Sequence, residues 1–300
     1  MHYNEAVAAM FVPSPEGAVA APTTSQSVAR RLRDAIEPIA MHPVWSRQTN
    51  EALERLGLNF FTGYVWGRAA ALGEPAPGVV VSTFAVFEPS LMTGVYEAGR
   101  AACARDSLLA TRFEATTASL APVLAGEDVS VVAGRLRAAA LDLDRAGRPL
   151  YTGLADLPLS DDPVEMLWRC AEMIREHRGD SHIAACVAAG LDPVAMNVLT
   201  ELWVGFPLGQ YSGSRGWAPE AIDACVADLR AQGLLNGDAL SADGHAVRAE
   251  IEDVTDRAQR QLVSRLGADV DGLIADLERW SARCVAADAF PPNVYKRAAG

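Results

Sequence analysis

Residues 175–182 read Arg-Glu-His-Arg-Gly-Asp-Ser-His, which places two histidines, two carboxylates and two arginines within eight positions. No other stretch of the chain is as dense in groups that move protons, bind metal or hold an anion. Histidine changes charge near neutrality, and an adjacent carboxylate orients it or raises its pKa. General acid–base catalysis needs that combination. The candidate catalytic set is therefore His177, Asp180, His182 and Glu176. In it His177 or His182 would act as base or acid, Asp180 as orienter and Arg178 or Arg68 as anion holder. Imidazole and carboxylate also suit metals. However, His177 and His182 are five positions apart, not at the i, i+4 spacing of a helical zinc pair, so no metal site is assigned. The residues equally suit a structural role, with Asp180 capping a helix and Arg175, Arg178 and Glu176 forming an ion-pair network that locks two domains together.

A second group lies upstream. Phe60, Phe61, Tyr64, Trp66, Phe84 and Phe87 are clustered in the sequence, and Arg68 follows Tyr64 by four, so both fall on one helix face. An aromatic pocket with one arginine suits a planar acidic ligand, whereas ordinary core aromatics are the plainer alternative. His42, ahead of Pro43 and Trp45, is placed to meet the 175–182 segment across an interface. The candidate binding set is Arg178, Arg68, Tyr64, Phe61, Trp66 and His42.

The elements that must position these groups are mostly helical in period. Expected helices run from Ser27 to Ile39, Trp45 to Leu56, and from an Asn59 cap to about Gly73. Others follow over Pro77–Phe87 (where Val79-Val80-Val81 has strand character in a helical context), from Pro89 to about Arg105, Ser107–Leu124 and Val129–Leu143. Ala146–Pro163, with three prolines and two glycines, reads as a linker. Asp162-Pro163 opens a helix to about His177 that Gly179 ends. Asp180 or Ser181 then caps a short helix to Ala189, Gly190 turns the chain, and Asp192-Pro193 caps the next helix to about Val204. That spacing is a helix-turn-helix. A Gly-rich loop over 205–216, a helix from Pro219 to Gln232, a β-hairpin around Asn236-Gly237-Asp238, a long helix from Asp243 to Leu266 and a last one from Asp269 to Ala286 complete the chain. The expected fold class is mainly α: an N-terminal arm over 1–25, a helical domain over 26–155, a winged-helix-turn-helix domain with a small hairpin wing over 156–290, and a tail over 291–300.

Composition narrows the function. Half the residues are hydrophobic, enough for a full core, and no run of eighteen apolar residues marks a membrane span. The start lacks the basic and apolar regions of a secretory signal, so a cytoplasmic protein is expected. The five cysteines are scattered without CxxC spacing, which argues against a disulfide framework or structural zinc. The net charge is −12, with one lysine, Lys296, beside twenty-five arginines. Such acidity repels a nucleic-acid duplex unless a basic patch is built locally. No P-loop, dinucleotide-binding glycine motif, HExxH or GxSxG is present.

The run from Arg215-Gly216-Trp217-Ala218-Pro219-Glu220 through Leu229, Gly233-Leu234-Leu235, Ser241-Ala242-Asp243-Gly244 and Ile251 to Asp256 resembles MarR-type winged helices. The chain is also similar, over roughly residues 30–270, to actinobacterial winged-helix-like proteins that carry Arg-Glu-His-Arg-Gly-Asp-x-His, a histidine like His42 and an aromatic-then-Gly-Arg-Ala-Ala segment like Tyr64 to Leu72. In MarR proteins the helix at 219–232 would enter DNA. Here it offers Glu220, Asp223 and Asp228, with Arg230 as its one base, and the wing adds Asp238. Base reading favours Arg, Lys, Asn or Gln.

The reading from sequence is thus a small-molecule-binding protein or enzyme of specialised metabolism on a winged-helix scaffold that has lost its DNA chemistry. If it is catalytic, the expectation is proton transfer in an isomerisation, cyclisation or elimination. Its partner is a small-molecule ligand rather than nucleic acid or membrane, and its cofactor is unknown. A MarR-like homodimer through the helices after Gly244 is one expectation; occupation of that surface by the first domain is the other. The alternatives are a MarR-like regulator and a haem or metal protein ligated by His177, His182 or His42.

Overall fold

A computed structural model describes residues 12–18, 20 and 27–299. The expected arm over 1–25, with His2, falls mostly outside them. Helices α1 (Val28–Ala40), α2 (His42–Trp45), α3 (Arg47–Glu54), α4 (Phe60–Ala69), α5 (Pro77–Phe84), α6 (Pro89–Ala102), α7 (Arg105–Val123), α8 (Ser130–Ala140) and α9 (Pro149–Ala155) form the first half. Short polar side chains start several of them by accepting otherwise unpaired backbone N–H groups. Ser27 Oγ accepts from Arg30 N at 3.0 Å, and Asn59 Oδ1 accepts from Phe61 N and Thr62 N. The valine triplet 79–81 lies inside α5 as helix.

The second half comprises α10 (Pro163–Ala188), α11 (Pro193–Val204), α12 (Gln210–Gly213), α13 (Pro219–Ala231), β1 (Leu235–Asn236), β2 (Ala239–Leu240), α14 (Ala242–Arg257), α15 (Arg260–Leu266), α16 (Val270–Ala286) and α17 (Val294–Ala299). The chain is mainly helical. β1 and β2 pair antiparallel, with Leu235 opposite Leu240 and Asn236 opposite Ala239, around a two-residue turn in which Gly237 takes φ 61°. Helices α10 and α11 are bent by 111° at Gly190, whose φ of 78° suits glycine, and Asp192 Oδ1 caps α11 through Ala195 N at 2.8 Å.

Four expectations about the elements are corrected. Gly179 does not end a helix: α10 runs unbroken for 26 residues. Glycine permits a break but does not force one, and its cost of about 1 kcal/mol within a helix is small beside the buried contacts made on both sides of it. The 146–163 linker contains α9, whose Leu150, Tyr151 and Leu154 are buried. The helix from Asp243 to Leu266 breaks at Ala258-Gln259, where the buried Gln259 side chain turns to His177. Residues 291–299 are not a loose tail, for α17 packs against α1 and α11.

The largest core cluster joins Leu32, Ile36 and Ile39 of α1, Leu136 of α8, Leu167 and Trp168 of α10, and Leu277 and Trp280 of α16. A second holds Val65 and Trp66 of α4, Val80 of α5, Met92 and Tyr96 of α6 and Leu108 of α7. A third is built from Val198, Leu199 and Trp203 of α11, Val226 and Leu229 of α13 and the hairpin leucines Leu235 and Leu240. Helix α10 connects them: its first half lies in the largest core and its end leads into the helix-turn-helix.

Candidate functional site

Helical periodicity divides the 175–182 segment between two environments. Because α10 is continuous, residues at i, i+3, i+4 and i+7 share a face. Arg175, Arg178, Gly179, His182, Ile183 and Cys186 line one cavity of about 520 Å³, joined at its edge by Glu176 and Asp180. His177 and Ser181 point elsewhere. His177 Nδ1 meets Gln259 Oε1 at 2.8 Å, and its ring stands edge-on to Tyr151 with centroids 4.9 Å apart. Burial pushes His177 down to about 4, so it stays a neutral, structural ring.

The upstream aromatics reach the same cavity, whose wall includes Phe60, Phe61, Tyr64, Phe84 and Phe87. Phe61 and Tyr64 stack at 6.3 Å, and Phe87 contacts both. Two expected members are absent from that wall. Trp66 sits in the second core, donating to the Cys103 carbonyl. His42 is buried against Ser119 Oγ at 2.7 Å, and burial pushes it down to about 4. It does not meet the 175–182 segment.

Most of the charge around the cavity is matched. Arg68 grips Glu176 through three hydrogen bonds of 2.8–3.1 Å while donating to Tyr64 Oη at 2.8 Å. Arg175 bridges Glu176 at 2.8 Å and Glu37 at 2.9 Å. Arg30, Arg178 and Arg248 converge on Glu252 at 3.3, 2.9 and 2.8 Å, and Arg178 also reaches Asp256. Arg33 and Arg30 share Asp34. Burial alone would raise these carboxyls, but neighbouring groups outweigh it: Arg175 and Arg33 hold Glu37 at about 2, and His182 with Arg178, Arg248 and Arg30 holds Glu252 well below the usual range. Glu176 is therefore not available as a base, and neither Arg68 nor Arg178 is the free anion holder expected from the sequence. The structural alternative describes these residues better, because the ion pairs tie α4 and α1 to α10, and α10 to α14.

Asp180 and His182 remain. Asp180 caps a helix, though not its own: its Oδ2 accepts from Tyr151 N at 3.0 Å, in the first turn of α9, where N–H groups are left free by the helix. It orients neither histidine. Burial raises its carboxyl to about 7. His182 lies 3.2 Å from Thr255 Oγ1 and 3.7 Å from Cys186 Sγ, and burial lowers it to about 3. The wall thus holds one imidazole that is neutral at neutral pH and one carboxyl that keeps its proton far above the usual carboxylate range.

Two further cations line the cavity without a carboxylate within 4 Å among the described residues: Arg215 and Lys296. Arg215 lies over the rings of Tyr211 and Phe87, at 4.2 and 4.9 Å to the centroids. Its loop is fixed by Glu201, which accepts from the N–H groups of Gly209, Tyr211 and Ser212 at 2.8–2.9 Å. Gly216 takes φ 88°, a conformation that favours glycine, and a Cβ there would meet the Leu91 side chain of α6. Lys296, on α17, is 6% exposed and sits 5.8 Å from the centre of the Trp45 ring. Sequence reasoning assigned neither residue a role. The available signal was Lys296 itself, the single lysine in an arginine-rich chain.

Three side-chain Nε atoms on the cavity wall, of Arg178, Arg215 and Arg248, are buried with no acceptor among the described residues, and Asn197 Oδ1 is buried with no donor among them. Buried polar atoms left unpaired are uncommon and call for an explanation. His42, His177 and His182 each bind a different partner, and no group of three His, Cys, Asp or Glu side chains placed to hold a metal occurs among the described residues. All five cysteines are free thiols. Among the described residues no single helix is long and apolar enough to cross a membrane. On α13 the exposed side chains include Glu220, Asp223 and Asp228, while Arg230 is held by Asp238 at 2.7 Å.

A helix-turn-helix family matches residues 29–291, nearly the whole described chain, and the protein belongs to that family. No curated protein and no solved structure matches it.

Proposed function

We propose that this helix-turn-helix protein binds a small organic molecule in the cavity beside α10, and that its helix-turn-helix serves as part of that binding scaffold, in the winged arrangement expected from sequence, rather than as a DNA reader. One observation carries the proposal: a space of about 520 Å³, in the range of known ligand sites, walled by aromatic rings and by buried polar groups that lack partners. The acidic surface of α13 supports the second part, since phosphate contact needs free cations.

Proton-transfer chemistry is the catalytic version of this reading. Asp180, poised near neutrality, is the acid or base, and neutral His182 the second proton carrier; His177 only supports the fold. An isomerisation, cyclisation or elimination in specialised metabolism suits such a pair. Family membership favours a second reading, a ligand-responsive transcription regulator.

The test is fluorescence titration with N-phenyl-1-naphthylamine, a neutral probe that brightens in apolar pockets, on the full-length protein and on Ile183→Trp, which fills the cavity wall. One saturable site in the parent, lost in a folded Ile183→Trp, is expected. No saturable binding, or binding that ignores the tryptophan, overturns the proposal. Selection from a random duplex pool addresses the regulator: an enriched sequence, bound with steep salt dependence, would favour it.

A further inference from the structure

Seen as counter-charge, the cavity has two unlike parts. The six arginines Arg30, Arg33, Arg68, Arg175, Arg178 and Arg248 have carboxylate partners. Among the described residues Arg215 and Lys296 have none within 4 Å. Burying an unpaired cation is costly, and proteins ordinarily pair it or neutralise it. Lys296 and Arg215 also repel each other, which depresses Lys296 further beyond the effect of burial. Lys296 makes no side-chain hydrogen bond within the described residues, and Arg215 makes one, of 3.3 Å, to its neighbour Ser214. Phe87 links this charged pole to the apolar wall, since it touches Arg215 on one side and Phe61 and Tyr64 on the other.

Resting on the ligand-binding reading above, we infer that Lys296 and Arg215 form an oxyanion subsite, and that the ligand is an organic acid whose apolar body lies against Phe61, Tyr64 and Phe87 while its acidic group bridges the two cations. Arg215 offers a planar donor fork held by two rings, and Lys296 a point charge; together they match a carboxylate-type group. The ligand supplies the counter-charge that the described residues do not.

Binding is then coupled to the proton on Lys296. Burial and Arg215 lower the free lysine to about 7, with Arg33 and Arg175 also opposing its charge and Glu37 favouring it. A bound anion raises it again. Affinity for an acid is therefore full below pH 7 and falls as pH rises above it, until the pKa of the occupied state is reached.

The probe pair 1-anilinonaphthalene-8-sulfonate and N-phenyl-1-naphthylamine tests this, because the two differ only by the acidic group. Titrated at pH 6.5, the sulfonate is expected to bind about tenfold or more tightly than the neutral probe. Lys296→Met and Arg215→Met should each remove most of that preference and leave the neutral probe's affinity within about twofold. Lys296→Arg should keep the preference but abolish its decline between pH 7 and 9, since arginine does not lose its proton there. Misfolding is separable: Lys296→Met removes a buried charge, so its melting temperature at pH 6 should rise rather than fall. Equal affinity of the parent for both probes, or a preference that survives both methionine variants, overturns the subsite and leaves the cavity reading intact. Failure of both probes overturns the two together.

Discussion

The two cationic regions that share this cavity differ in one respect, and the difference separates architecture from recognition. Around Glu176 and Glu252 every arginine meets a carboxylate, and the Arg68–Glu176, Arg178–Glu252 and Arg30–Glu252 pairs join helices distant in sequence. Around buried Lys296 and half-buried Arg215 no carboxylate lies within 4 Å among the described residues. A matched buried network holds elements in register and loses heavily when one partner goes. An unmatched one costs stability in the free protein, a common property of binding sites.

The sharpest way to break this contrast is to unmatch the matched side. Glu252→Gln leaves Arg30, Arg178 and Arg248 without their shared carboxylate, for an expected loss of about 3–5 kcal/mol at pH 7. Calorimetry should show melting lowered by roughly 10 °C. The sign with pH follows from the depressed pKa of Glu252: its contribution is present above the unfolded value, near 4.3, and vanishes as pH falls through the folded one, so parent and variant converge in acid. If Glu252→Gln melts with the parent at pH 7, the network is not what ties α1, α10 and α14 together.

Asp180 is an intermediate case, a buried carboxyl whose partner is a backbone N–H instead of a cation. Its folded pKa is raised to about 7 by burial. The native state keeps this proton where the unfolded chain, near 3.9, has lost it. Stability from this group is therefore greatest below pH 4, falls as pH rises to 7 and is level above. Asp180→Asn retains an oxygen for Tyr151 N but has no proton to lose. Relative to the parent it should gain on the order of 2–3 kcal/mol between pH 5 and pH 8, read from urea midpoints. A constant difference across that range would mean that Asp180 titrates normally and is not the poised acid of the catalytic reading.

How much of this was legible in the sequence depended on the range of the physics involved. Caps, proline starts and apolar period are local, so α1, α4, α11, α13 and the hairpin fell close to their expected places. The clustering of charged groups at 175–182 was also local, and it drew attention to the right helix. What failed was non-local. Which of His177 and His182 faces the cavity depends on whether Gly179 breaks the helix, and that is decided by partners such as Glu252 and Gln259, more than seventy residues away. Arg68 looked free because Glu176 lies 108 residues downstream. Lys296 looked like part of a tail because α1, α2 and α11, which surround it, are remote in sequence.

Gly179 gives the smallest and most discriminating prediction. It lies within α10 and on the cavity wall, where a Cβ would meet only Glu176 Oε2 at 3.6 Å, an ordinary contact. Nothing in the backbone demands glycine, and its φ is helical. By helix propensity alone, Gly179→Ala should stabilise the protein by about 0.5–1 kcal/mol. If the cavity wall is shaped for a ligand, the added methyl group takes room beside the matched network without touching the Lys296–Arg215 pole. Binding of both naphthylamine probes should then weaken by a similar factor, about two- to fivefold, while the preference for the sulfonate is unchanged. Loss of that preference would mean that the two regions are not separable and that the oxyanion group lies against α10. A stabilised variant with unaltered binding would mean that the glycine makes no room for a ligand, placing the occupied part of the cavity nearer to α17 and the Arg215 loop.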